Sequence, residues 1–142
     1  MYEVFIDGRE GTTGLRIAER LAQRKDIELL SISEELRKDV KERLRLINAS
    51  DVTFLCLPDA ASKEIVEAAQ DSEAKIIDAS TAFRCDDNWA YGFPEISAAY
   101  LKRIQTYKRI ANPGCHASGS IAIIAPLVAN DIVGNAYPFT IT

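Results

Sequence analysis

Val4-Phe5-Ile6-Asp7-Gly8-Arg9-Glu10-Gly11-Thr12-Thr13-Gly14-Leu15 is an apolar run that breaks into a turn with glycines at 8, 11 and 14 and then enters a helical pattern without a gap. A strand that turns on glycine straight into a helix is the local form of a phosphate-cradling loop, and this spacing is a G-x-x-G-x-x-G variant of the dinucleotide fingerprint. Gly8 suits the tight turn, Gly11 an approach of backbone to a pyrophosphate, and Gly14 close packing of helix on strand. The first amides of the helix attract phosphate, and Thr12 and Thr13 add hydroxyl donors.

Outward from this turn, short β-rich runs alternate with helical patterns. Tyr2 to Ile6, Ile27 to Ile32, Asp51 to Leu57, Lys75 to Ala79 and Arg109 to Ala111 read as strands that are apolar on both faces, which is the mark of a buried parallel sheet. Thr12 to Arg24 puts Leu15, Ala18, Leu21 and Ala22 on one helical face, and Glu35 to Asn48 does the same with Leu36, Val40, Leu44 and Ile47. The charges of the second helix, Arg37, Lys38, Lys41, Glu42, Arg43 and Arg45, read as its solvated side. Asp59 is the expected N-cap of a helix reaching about Gln70. Pro94 opens a helical segment to about Gln105, and a long apolar helix runs from about Cys115 to Asn130. With right-handed crossovers, this order predicts an α/β fold with a doubly wound, mostly parallel, Rossmann-like sheet.

The chain of 142 residues, 47% apolar and 27% charged, is long enough for one domain with a sizeable core. Its 17 basic and 21 acidic residues are scattered and leave a net charge of -4, so no basic face addresses a nucleic acid. No apolar stretch reaches the roughly 20 residues of a bilayer span, so no membrane partner is expected. Three cysteines without metal-like pairing, and a single histidine, predict a reduced cytoplasmic protein with no metal site.

A second constellation follows the last strand in Asn112-Pro113-Gly114-Cys115-His116-Ala117-Ser118-Gly119. Pro113 and Gly114 form a turn that puts Cys115 at a helix start, where free amides and the helix dipole favour a thiolate. A thiolate beside a nucleotide cleft suits attack on an acyl carbon, with the adjacent amides and Asn112 placed to receive oxyanion charge. A lone cysteine is as readily a small buried hydrophobe, and Cys56, inside Val52 to Leu57, is read that way. His116 is a poor base for Cys115, because consecutive helical residues do not face each other.

In an open α/β sheet the ligand crosses the carboxyl ends of the strands. Leu57 and Pro58 therefore read as walls of the nucleotide site, and Ser80 or Thr81 as contacts to its ribose or carboxamide; each also serves as an ordinary turn residue. At the end of the second strand, Ser31 and Ser33 stand where an NAD site usually carries an acidic residue, with Arg37 and Lys38 following. That favours the 2'-phosphate of NADP, against which Glu34 counts, while Arg37 equally reads as part of a solvated helix face.

Five strings together, V-F-I-D-G-R-E-G-T-T-G-L (4 to 15), F-L-C-L-P-D-A-A (54 to 61), I-D-A-S-T-A-F-R (77 to 84), Y-G-F-P-E (91 to 95) and A-N-P-G-C-H-A-S-G (111 to 119), resemble the N-acetyl-γ-glutamyl-phosphate reductases of the shorter, type 2 form. The resemblance implies NADPH-dependent reduction of an acyl-phosphate substrate, N-acetyl-5-glutamyl phosphate, to the semialdehyde with release of phosphate, in arginine biosynthesis. It also implies Cys115 as the nucleophile that forms a thioacyl-enzyme. Gly8, Gly11, Thr12, Thr13, Gly14, Ser80, Ser118 and Gly119 are implied cofactor contacts. Members of that family resemble two-domain proteins of roughly twice this length, whose second, substrate and dimerisation domain brings a catalytic histidine. Residues 1–142 are thus expected to be the dinucleotide-binding domain with its catalytic cysteine, inactive alone and a possible homo-oligomer. The alternation begun by Tyr137 to Thr142 reads as a strand cut short. Aspartate-semialdehyde dehydrogenase, which shares the chemistry, and a non-enzymatic NADP-binding module are the alternatives.

Overall fold

A computed structural model describes residues 1–133, so the strand expected over Tyr137 to Thr142 lies outside the described residues. Six strands form one sheet in the order β2-β1-β3-β4-β6-β5: β1 Tyr2–Asp7, β2 Ile27–Leu30, β3 Val52–Leu55, β4 Lys75–Asp78, β5 Ala90–Tyr91 and β6 Arg109–Ala111. Every pairing is parallel, so each connection must cross a face of the sheet. Five helices accompany the strands: α1 Thr12–Leu21, α2 Val40–Ala49, α3 Asp59–Ala68, α4 Ala98–Thr106 and α5 Cys115–Ala129.

Alternation along the strands explains the two cores. Val4 and Ile6 meet Ala18, Ile17 and Leu21 of α1 on one face, while Phe5, Leu55 and Ile76 meet Leu46 and Ile47 of α2 and Ile65 of α3 on the other. Both faces are covered, which is why the strands are apolar throughout and why the doubly wound expectation holds. The chain reverses its winding beside β1, with β2 on one side and β3 on the other, and this opens a crevice at the carboxyl ends of β1 and β3.

Several local expectations are corrected. β5, only two residues at the sheet edge, carries no readable alternation. The inner face of α1 is Gly14, Ile17, Ala18 and Leu21 rather than one containing Leu15, which is 50% exposed. α2 starts five residues later than its apolar spacing implied, because the Asp39 carboxylate caps it by accepting from the Glu42 amide at 2.9 Å; Leu36 precedes it and is exposed. Pro58, not Asp59, is the N-cap of α3. The segment after Pro94 splits into a 3₁₀ turn over Pro94–Ile96 and then α4. Arg43 is not on the solvated side of α2: it is 6% exposed, and its Nε donates to Asp7 Oδ2 at 2.7 Å. Three residues after Val40 and four before Ile47, Arg43 shares the helix face that packs on the sheet, which is why it is buried.

Candidate active site

The glycine turn is built by close contacts that only two of its glycines require. Gly8 has φ +82°, and a Cβ there would lie 2.3 Å from the Cys56 carbonyl oxygen at the end of β3. A Cβ on Gly14 would lie 2.4 Å from the Gly8 oxygen, so the start of α1 is wedged against the turn. Gly11 differs: its backbone is ordinary (φ -74°), and a Cβ would meet nothing nearer than the Gly8 oxygen at 3.5 Å. The fold does not need glycine at 11. Gly11 is the N-cap of α1 and no side chain caps that terminus, so the amides of Thr12, Thr13 and Gly14 face an exposed cradle that fits the pyrophosphate of a dinucleotide.

Beneath the crevice lies a buried polar layer. Asp7, at the end of β1, is 4% exposed and paired with Arg43, yet burial raises its carboxyl above the usual range more than Arg43 lowers it. Asp78, at the end of β4, is fully buried and accepts from Ser62 Oγ at 2.7 Å and Ser80 Oγ at 2.5 Å. The same Ser80 oxygen accepts from the Ala82 amide at 3.1 Å, so Ser80 is committed within the fold. Cys56 packs against the cluster of Val4, Ile6 and Ala18, and burial, with the charges of Asp7 and Asp78, pushes its thiol up to about 11.

The cleft edges are tied to one another. Asp59 accepts from the Thr81 amide at 3.0 Å and from its hydroxyl, and these bonds hold its carboxyl below the ordinary range. They join the loop at Leu57 and Pro58 to the loop that follows β4. Leu57 is half-buried against the larger core, and Pro58 is exposed. Ser31 and Ser33 are both exposed just after β2, and Arg37 lies 3.6 Å from Glu34.

Three strands along, Cys115 is the first residue of α5, exposed, behind Gly114 as N-cap. No side chain caps this terminus either; Ser118 closes the first turn by donating both its amide and its Oγ to the Gly114 oxygen at 2.9 Å. The turn is held from below by the Asn112 amide bonded to the Asp78 oxygen at 2.8 Å, and from the side by Arg84. Arg84 Nε donates to the Asn112 oxygen at 3.0 Å and its Nη2 to the Ala79 oxygen at 3.2 Å. A Cβ on Gly114 would lie 2.8 Å from Arg84 Nη1, so glycine there admits the guanidinium. The Asn112 side-chain amide donates to the Pro113 oxygen at 3.2 Å. His116 is exposed on the next position of the helix.

The strand order therefore brings the glycine turn, Leu57, Pro58 and Cys115 to one edge of the sheet, with Cys115 separated from β1 by three strand spacings of about 4.8 Å each. Arg84 was not assigned a role from sequence. Its signal was a cation in the loop that follows β4, legible only once β4 and β6 were known to be neighbours.

Known proteins resemble this chain in sequence and in fold. Residues 32–104 match the family described as semialdehyde dehydrogenase, NAD binding domain. The chain is 49% identical over 139 residues to the N-acetyl-γ-glutamyl-phosphate reductase of Chelativorans sp. (strain BNC1), covering 98% of this chain and 45% of that protein. It is 47% identical to the protein of that name from Trichormus variabilis (strain ATCC 29413 / PCC 7937), covering 98% and 43%. The chain thus spans less than half the length of these relatives. Among solved structures, aspartate semialdehyde dehydrogenase from Francisella tularensis superposes with a TM-score of 0.71 at 19% identity, over 92% of this chain and 42% of that one. The enzyme with NADP from Candida albicans gives 0.67 at 15% identity, over 92% and 47%. These two likenesses show the fold alone. No helix among the described residues is long and apolar enough to cross a membrane.

Proposed function

Because the chain belongs to the semialdehyde dehydrogenase family, through its NAD-binding domain, we propose that it is the nucleotide-binding, nucleophile-bearing part of an NADP-dependent N-acetyl-γ-glutamyl-phosphate reductase. The observation that carries this reading is the placement of Cys115: exposed, first in an uncapped helix, and on the same sheet edge as the glycine cradle.

In this reading the Cys115 thiolate attacks the carbonyl carbon of N-acetyl-5-glutamyl phosphate. A C–S bond forms, the bond between the acyl carbon and the bridging phosphate oxygen breaks, and phosphate leaves with the electron pair. The first amides of α5 receive the oxyanion charge, with Asn112 beside them once its amide turns from Pro113. Arg84, packed on Gly114, sets a cation at this turn that favours the departing anion. Gly11, Thr12, Thr13 and Gly14 hold the pyrophosphate, Leu57 and Pro58 wall the nucleotide, and Ser31, Ser33 and Arg37 take the 2'-phosphate of NADP. When bound, the cofactor supplies the hydride that the reduction to the semialdehyde requires. Ser80 acts indirectly, by holding Asp78 and the loop after β4.

The sole histidine, His116, points about 100° around the helix from Cys115, so no imidazole of this chain serves the thiol. The chain by itself is accordingly expected to bind the nucleotide without turning over acyl phosphate. Fluorescence titration with NADPH and NADH, together with mapping of thiol alkylation by mass spectrometry, tests the reading. It predicts tighter binding of NADPH than of NADH, and alkylation of Cys115 faster than that of Cys85, which is also exposed. Absence of binding to either nucleotide, or a Cys115 no more reactive than Cys85, overturns it.

A further inference from the structure

Gly119 lies one helical turn beyond Cys115 in α5, exposed, with an ordinary helical backbone. Glycine inside a helix destabilises it relative to alanine, because it gives up the most backbone freedom and buries nothing. At Gly8, Gly14 and Gly114 the fold supplies a reason, since a Cβ would lie 2.3 Å, 2.4 Å and 2.8 Å from the nearest atom; Gly11 is explained instead by the approach of a pyrophosphate. At Gly119 the fold supplies none, since a Cβ would meet no atom within 4 Å. Residues four apart share a helix face, and helical side chains lean toward the N-terminus, so a side chain at 119 would cover the turn that begins at Cys115.

We propose that Gly119 determines access to the Cys115 thiol: the missing side chain keeps open the approach over the first turn of α5 along which an acyl group reaches Sγ. This rests on Cys115 being the nucleophile. It adds that the acyl carbon arrives from the α5 side, and that a helix-destabilising residue is kept for that purpose.

The test is alkylation of the 142-residue chain and its Gly119→Ala and Gly119→Leu variants by a small reagent, iodoacetamide, and a bulky one, N-phenylmaleimide, with rates assigned to each cysteine by mass spectrometry. Cys85, exposed in a different loop, is the internal control. The expected result is a higher melting temperature for Gly119→Ala. For Gly119→Leu, Cys115 should react several-fold more slowly, more so with the bulky reagent, while Cys85 keeps its rate. Unchanged Cys115 rates in Gly119→Leu with both reagents would overturn the proposal, as would a Gly119→Ala variant less stable than the parent, which would show that the fold itself requires the glycine. Neither reagent involves nucleotide or acyl phosphate, so failure here is distinct from failure to bind NADPH.

Discussion

At the scale of single residues, chemistry follows from surroundings that one-letter codes do not carry. Cys56 and Cys115 are the same side chain, but one is packed against the apolar cluster of Val4, Ile6 and Ala18 and the other stands at an exposed helix start. Burial raises the Cys56 thiol from 9.0 to about 11, so the protonated form is favoured in the folded state. Its contribution to stability is therefore complete below about pH 9 and is lost as the pH rises through about 11. Urea midpoints measured from pH 8 to 11 are expected to fall more steeply for the wild type than for Cys56→Ala; parallel curves would refute this. The glycines separate in the same manner. Gly8→Ala forces a Cβ to 2.3 Å from the Cys56 oxygen at φ +82° and should unfold much of the population. Gly11→Ala, with ordinary φ and no clash, should leave the melting temperature nearly unchanged while weakening NADPH binding, as a paired melting and titration experiment can show.

At the scale of elements, α2 is informative because its charges divide between two roles. Asp39 caps the helix, and Asp39→Ala should cost about 1 kcal/mol in chemical denaturation. Arg43 faces inward and joins α2 to the end of β1 through Asp7, both side chains being at most 7% exposed. Arg43→Met would leave a buried carboxylate without its cation, at a cost of about 3–5 kcal/mol. The double variant Asp7→Asn/Arg43→Met should recover part of this loss, since no buried charge then remains unpaired; a double variant as unstable as the two single losses added would contradict the pairing. The start of α5 is likewise assembled from other elements. Arg84 and the Asp78 oxygen hold Asn112, so Arg84→Ala should lower Cys115 reactivity without removing the helix.

At the scale of the molecule, the parallel order β2-β1-β3-β4-β6-β5 gathers loops distant in the chain onto one edge, and this makes a cleft of separate turns. α5, which carries the thiol, also leaves Ile123 68%, Ile124 39% and Val128 47% exposed. Apolar area of this kind favours association. Sedimentation velocity is expected to show concentration-dependent self-association that Ile123→Lys weakens; a monomer at every concentration would exclude it.

The sequence by itself determined the parallel class of the sheet, the glycine turn and the helix-start cysteine. Each depends on local rules: apolar runs on both strand faces, glycine spacing, and a Pro-Gly turn before a helix. Helix starts at Asp39 and Pro58 escaped it, because capping is settled by a few bonds and dihedrals rather than by periodicity. The partners of Arg43, Ser80 and Arg84 escaped it for a different reason. Asp7 lies 36 residues from Arg43, and the Asn112 oxygen 28 residues from Arg84; only the strand order decides that such groups meet. Tertiary structure alone likewise distinguished the glycines that backbone packing demands, 8 and 14, from those at 11 and 119 that leave space, because the difference is the distance from an absent Cβ to its nearest neighbour.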